Sequence, residues 1–336
     1  MSARGWVLFA AVSVIWGTPY LFIKLAVEEM SPSLVAWSRL AIAAVVLLPI
    51  AWKLGTLRGL GARWRILTAF AAVEMAVPWP LIGFGEVRIS SSLTAILIAT
   101  VPLVVAVLAV RFDHSERPTR TRLVGMLVGF AGVAALVGID IGGRTGELVG
   151  AAAILAAAVC YAIGPMIVKR RLADVDALGP VAASLAIAAL LLTPFAAADL
   201  PEEPLSAEAL ASVAVLGLVC SALAFLFFFR LIAEVGPSRA TIITYVNPVV
   251  ALALGVAILD ESVTAGTVVG LLLILAGSWL STDGRLPPGL AAVAARLRRE
   301  DGAGRLAPPQ EPARGRRFSP APRHAAASPA RDTARG

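Results

Sequence analysis

An all-α membrane protein is predicted: ten transmembrane helices forming two inverted five-helix repeats, with the N and C termini cytoplasmic. Composition is the first reason. Of 336 residues, 58% are hydrophobic and only 15% charged, with mean hydropathy +0.84. Soluble domains carry about a quarter charged residues. Span length is the second. A helix needs about 20 apolar residues to cross the hydrocarbon core, and runs of that length recur ten times. The third is an internal repeat. Residues 39–51 (RLAIAAVVLLPIA) return at 184–196 as SLAIAALLLTPFA, eight of thirteen positions identical. The same offset of 145 pairs Trp16 with Tyr161, Lys24 with Lys169, Glu116 with Glu261, Gly125 with Gly270 and Gly132 with Gly277. An odd number of spans per half makes the second half enter the bilayer from the opposite side, the plan of inverted-repeat transporters.

The spans fall at about 6–27, 33–52, 65–85, 92–111, 122–139, 148–168, 177–198, 208–230, 239–259 and 265–282. The first is long enough to cross and has no small-x-small cleavage site at its end, so it reads as a helix rather than a cleaved signal. Runs rich in Ala, Leu and Val without dyad alternation argue against a β-barrel. Short loops make neighbouring helices antiparallel. Three segments follow: 1–139 as the first repeat, 140–282 as the second, and 283–336 as a Pro-, Ala- and Arg-rich tail. That tail has too little apolar surface to offset chain entropy and is expected to be disordered.

Charge placement gives the orientation. Arg4; Lys53, Arg58, Arg63, Arg65; Arg111, Arg117, Arg120, Arg122; Lys169, Arg170, Arg171; and Arg230, Arg239 lie on one set of alternate loops and span ends. The other loops hold only Arg88 and Arg144. The basic set marks the cytoplasmic side, and a missed span would scramble the alternation. Eleven of the 29 basic residues lie in the tail. The net charge of +7 is therefore loop and tail charge, and nucleic acid is not an expected partner.

The stretches SSSLTAILIATVPLVVAVLAVRFDHSERPTRTRLVGMLVGFAGVAAL and GPSRATIITYVNPVVALALGVAILDESVTAGTVVGLLLILAGSWL share a small-polar start, a mid-helix Pro (Pro102, Pro248), a Glu in the short connection (Glu116, Glu261) and a Gly-spaced last helix. Each resembles the second part of an EamA-type domain of the drug/metabolite transporter superfamily. VIWGTPYLFIKLA followed by SPSLVAWSRLAIAA resembles the family's first two helices. The resemblance covers residues 6–282. It implies ten helices, cytoplasmic termini, and export or exchange of small metabolites, amino acids or drugs without ATP hydrolysis. Ser184 stands in the second half where the first has Arg39, so the halves are not functionally equivalent there.

The residues themselves point to a polar midplane. Glu74, in AVEMAVPWP, lies near the centre of the third span. A carboxylate there costs at least a few kcal/mol unless it faces a cavity or a partner. It is the first candidate for coupling to protons or recognising a cation; the alternative is an acid that only locks two helices together. Its counterpart in the second half is apolar Val219 or Cys220. Pro78 and Pro80 remove backbone donors after it, and with Trp79 they read as a cavity wall or a plain kink. Trp16, Pro19 and Tyr20 in helix one, and Tyr161 with Pro165 in helix six, read as equivalent helix interruptions, the pattern that marks a transport site. The aromatics serve equally as core packing.

Arg39, roughly 9 Å inside helix two, is the second coupling candidate; it either snorkels outward or pairs with Glu74, Glu28 or Glu29. Tyr245 and Asn247, beside Pro248, give helix nine a polar cluster suited to a substrate group or to an interhelical hydrogen bond. Cys160 and Cys220 sit in apolar runs without metal-ligand spacing, and no metal or cofactor is expected. His114 and His324 are the only histidines, and neither HExxH, a GxSG-type serine nor a GxxxxGK[ST] loop is present. A non-enzymatic secondary transporter is therefore expected, a membrane enzyme or a non-transporting scaffold being the rivals. Its partners are a small-molecule substrate, the lipid bilayer and, as candidate coupling ion, the proton; monomer and homodimer are both compatible. The location is a cell (inner) membrane crossed many times, and the Ala- and Arg-heavy composition suggests a bacterium.

Overall fold

The computed structural model describes residues 2–112, 119–236, 240 and 242–281; Glu116, His114 and the 283–336 tail lie outside them. All regular structure among the described residues is helical. Eight helical stretches are long and apolar enough to cross a membrane, and two shorter apolar helices follow, Ile243–Leu259 and Ala265–Ser281. Each of these two has 17 residues, at the lower limit for spanning.

In chain order the helices are α1 (Ala3–Gly17), α2 (Pro19–Ala26), α3 (Pro32–Lys53), α4 (Trp64–Ala71), α5 (Pro78–Glu86), α6 (Ser91–Ile98), α7 (Val101–Phe112), α8 (Arg120–Leu136) and α9 (Thr145–Arg171). Then come α10 (Leu178–Ala198), α11 (Ala207–Gly217), α12 (Ala224–Val235), α13 (Ile243–Leu259) and α14 (Ala265–Ser281). Small hydroxyl residues start many of them. Ser2, Ser31, Ser90, Thr119 and Ser206 each accept a hydrogen bond from the backbone N–H three residues on, satisfying a donor the helix leaves open.

Large apolar side chains point outward at mid-helix: Val45 is 73% exposed, Leu127 71% and Leu190 73%. Such a surface is costly in water and natural in lipid. Trp6, Trp52 and Trp64 are exposed near ends that the charge pattern assigns to the cytoplasm, where amphipathic rings anchor a helix at the headgroups.

The helix equivalent to α8 in the second half is α14, and the two pack along their length. Gly125 faces Leu280 and Ser281, Gly277 faces the Gly129 backbone, Gly132 faces Leu273 and Ile274, Gly270 faces Leu136, and Gly266 faces Ile139 and Asp140. Every step forward along α8 is matched by a step back along α14, so the two run antiparallel. Their glycines let the backbones touch, as close membrane packing requires. The pairing of α3 with α10 is of the same kind. Trp37 Nε1 donates to Thr193 Oγ1 at 3.1 Å near one end, while Gly179 packs on the Thr56 carbonyl at the other.

Loop contacts sort into the same two faces as the charges. Ser2 bonds Glu234, and Arg63 pairs with Asp174. At the opposite face Glu29 accepts from Ser206 N at 2.8 Å, and Glu261 accepts from Ser91 N at 2.7 Å.

Two expected helix breaks are corrected. Pro165 and Pro248 both sit inside unbroken helices, α9 and α13. A lone proline deletes one hydrogen bond and tilts the axis without ending the helix. Breaks occur where a second device assists. At Pro19, Thr18 Oγ1 donates at 2.8 Å to the Ile15 carbonyl, the one four residues before the proline. Pro102 follows a break at Ala99–Thr100. Ahead of Pro78 the chain makes a π-helical turn, Ala72–Ala76, leaving Pro78 and Pro80 in the first turn of α5, where an N–H is not needed.

Candidate functional site

A second π turn, Leu218–Leu223, lies between α11 and α12 at the place in the second half that Ala72–Ala76 holds in the first. Such turns widen a helix and are frequent at functional sites. Each is covered by the other half: α3 packs on Leu218–Leu223, and α10 on Ala72–Ala76. Their side chains differ. One turn carries Glu74, the other Cys220 and Ser221.

Arg39 projects from α3 onto the second turn. It is 8% exposed, so it does not snorkel. Its Nε donates to Ser221 Oγ at 2.8 Å, and Ser221 Oγ donates to the Leu216 carbonyl at 2.9 Å inside the π turn. The guanidinium lies over Trp79, with Cζ 3.9 Å from the ring centroid. The Cys220 thiol, the Tyr161 and Tyr20 hydroxyls and the Glu86 carboxylate are within its electrostatic reach. Among the described residues no carboxylate pairs with it, so neither Glu74 nor Glu28 nor Glu29 is its partner.

Glu74 packs against Gly164 of α9, a position where any Cβ would collide with the carboxylate. Its Oε2 is buried and unpartnered. Tyr161 is in electrostatic range of both Glu74 and Arg39. Tyr20, Arg39, Glu74, Trp79 and Tyr161 thus form one neighbourhood.

The other candidates lie apart from it. Trp16 packs on Phe228 and Phe225, with centroids 4.7 and 5.8 Å away. Asn247 lies where α13 crosses α1. With its NH2 turned toward them, its amide reaches the Ile243 and Ser13 carbonyls at 2.8 and 3.2 Å. That is the interhelical hydrogen bond. Tyr245 shares the same helix.

Glu86 was not singled out from the sequence. It is fully buried, and neither carboxylate oxygen has a hydrogen-bond partner. Lys24 donates to the Glu86 and Ile89 carbonyls at the end of α5. Ending an apolar run, Glu86 looks interfacial in sequence, yet it is fully enclosed, in a helix that packs on α9, α3, α2 and α6. Thr18, whose hydroxyl lies 3.3 Å from Cys220 Sγ, was also passed over. Its position just before Pro19 could have marked it.

Beyond Lys24 a cavity of about 440 Å³ opens between the loops, lined by residues including Lys24, Arg88, Asp140, Arg144, Glu147 and Glu261. A second, of about 430 Å³, lies at Trp52–Arg58. Neither reaches Arg39 or Glu74.

Comparison with known proteins places this arrangement. The EamA-like transporter family matches residues 3–138 and again 148–282. An "Uncharacterized transporter" of Archaeoglobus fulgidus is 25% identical over 280 residues, covering 82% of this chain and 98% of its own. The "Uncharacterized inner membrane transporter YedA" of Escherichia coli K12 is 28% identical over 264 residues, 76% of this chain and 82% of its own. A crystal structure with TM-score 0.60 and 18% identity covers 84% of this chain and 97% of the other, and shares the fold. Repeated helices, lipid-facing surface and two-fold family match agree: the chain belongs to the EamA-like transporter family and is a multi-pass integral membrane transporter.

Proposed function

We propose that the chain is a secondary transporter of small molecules, with ten spans, cytoplasmic termini and two inverted halves, 1–139 and 140–282, that rock about a site between the two π turns. The tail, 283–336, is a basic cytoplasmic extension. The observation that carries this reading is the antiparallel packing of α8 on α14, equivalent helices run in opposite senses. Inverted halves can exchange conformations, which is how one site faces each side in turn. The buried Arg39 and the half-buried Glu74, whose Oε2 has no partner, fit such a site, because lone charges at membrane depth are retained where water or cargo reaches them.

In this reading the conformation described is closed over the site. The 440 Å³ cavity is the outer vestibule, and Lys24 with Glu86 forms the layer beneath it. Glu74 is the coupling group: a carboxyl that meets water only when the halves part takes a proton on one side and releases it on the other. Tyr20, Trp79 and Tyr161 wall the site, with Arg39 between them. Trp16, Tyr245 and Asn247 border it on the α1–α13 side.

The test is flux in proteoliposomes across a pH gradient. Glu74→Gln should fold, as shown by a monodisperse elution profile, and should lose the pH dependence of flux. Retained pH dependence in that variant removes the coupling role.

A further inference from the structure

We propose that Arg39 is the anion clamp of the chamber and that the protein's substrates are small organic carboxylates; the assignment rests on the transport reading above and narrows it. Arg39 is more than nine-tenths buried, yet among the described residues no carboxylate pairs with it. Among the same residues, of its five N–H donors only the Nε one is used, by Ser221. Trp79 holds the flat face of the guanidinium. Ser221 is fixed in turn by the Leu216 carbonyl. The side chain is therefore set in position and plane, while the edge bearing Nη1 and Nη2 has no acceptor. That edge matches a carboxylate, which takes two parallel N–H···O bonds from an arginine.

A purely structural arginine at this depth would be matched to an acid, since a lone buried charge is costly. One acid, Glu86, lies within its electrostatic range, and it does not pair. Glu86 feels the Arg39 charge without touching it and keeps both oxygens unpartnered. Glu74 is turned to Gly164. The chain holds its cation apart from its anions, which leaves the counter-charge to a ligand. The two halves confirm the count of such sites. Ser184, in the place equivalent to Arg39, contacts the Leu67 carbonyl at 3.5 Å and brings no charge, so the chamber has one clamp and accepts one anionic group. The Trp79 ring lies against the clamp, so an aromatic or aliphatic body next to the carboxylate is favoured over a bare inorganic anion.

The experiment uses the full chain in detergent and four probes of similar shape: benzoate, phenylacetate, benzamide and benzylammonium. Thermal stability is measured against probe concentration, because a ligand of the folded state raises the midpoint. Saturable stabilisation by the two carboxylates alone is expected, with half-saturation raised at least about tenfold by Arg39→Gln, as for loss of a buried charge-assisted pair. Arg39→Lys should recover only part of it, the lysine lacking the fork. Arg63→Gln, at the surface, should change nothing. Should Arg39→Gln fail to fold, Ser221→Ala, which frees the guanidinium from its anchor, should still weaken both carboxylates.

Equal shifts from benzamide or benzylammonium, no shift from either carboxylate, or carboxylate shifts undiminished in Arg39→Gln and Ser221→Ala overturn the clamp. Transport is read separately, as currents from proteoliposomes on solid-supported membranes. Carboxylate binding without current for any solute leaves the clamp and removes the transport reading. Currents from cations or neutral solutes that persist in Arg39→Gln do the reverse.

Discussion

Glu261 should stabilise the fold across the repeat boundary. Asp260, at φ 52°, ends α13 in a left-handed turn, and Glu261 folds back toward the start of α6. There its carboxylate accepts from Ser91 N at 2.7 Å and Ser92 N at 3.0 Å, and from the Ser92 hydroxyl. Gly255 makes room: a Cβ there would lie 2.5 Å from Ser92 Oγ and would also strike the carboxylate. An N-cap replaced by alanine costs about 1 kcal/mol. A second charge-assisted bond adds about 1.5 kcal/mol, and the helix dipole up to about 1 kcal/mol more. Glu261 is only half-buried, so water recovers part of this. Glu261→Ala should therefore destabilise by about 2–3 kcal/mol, and Glu261→Gln, which keeps one acceptor, by about half that. Unfolding in mixed micelles followed by circular dichroism measures both. In a double-mutant cycle with Ser92→Ala the two changes should fall short of additivity by about 1 kcal/mol. A Glu261→Ala effect under about 0.5 kcal/mol, or strict additivity, would refute the bridge.

Gly277→Leu drives a side chain into the Gly129 backbone, and should cost more than the roughly 1–3 kcal/mol typical of overpacking because backbone cannot yield; recovery of folded protein at the wild-type level would contradict the contact. At the surface, the Arg63 guanidinium holds the Asp174 carboxyl down at about 2, against 3.8 ordinarily. A depressed folded-state value means the pair's contribution is fully present above pH 3.8 and lost as pH falls through about 2. Carboxyl NMR should find that midpoint in the wild type and a return toward 3.8 in Arg63→Gln; an unchanged midpoint would break the assignment. Cys220, buried beside Thr18, should resist maleimide while half-exposed Cys160 reacts. Labelling of Cys220 that rises when substrate is added would report opening of the proposed site, whereas equal rates at rest would deny the enclosure of Cys220.

Much of the architecture was legible because hydrophobic length and loop charge act locally. The antiparallel glycine faces of α8 and α14 follow from small residues in register, and the midplane acid stands out at Glu74. Other features depend on packing that no local pattern carries. Pro165 and Pro248 look like Pro19 in sequence, but they sit inside continuous helices, whereas at Pro19 a hydroxyl is placed on the freed carbonyl. The match of Arg39 with Ser221 spans 182 residues, and an isolated serine in an apolar run gives no hint of it. Glu86 becomes a buried acid only when the neighbouring helices pack around α5. Asn247 could equally have faced cargo, and the crossing of α13 over α1 decided for the interhelical bond.

Labelling equivalent loops from one side of the membrane asks whether the halves are inverted. In a variant with Cys160 and Cys220 replaced by alanine, single cysteines are placed at exposed Glu28 and its counterpart Ala173, and at exposed Arg58 and its counterpart Glu203. An impermeant maleimide applied to intact cells should modify Glu28→Cys and Glu203→Cys, and should reach Arg58→Cys and Ala173→Cys only after permeabilisation. If both members of either pair label from the same side, the halves are parallel and no shared alternating site exists between them.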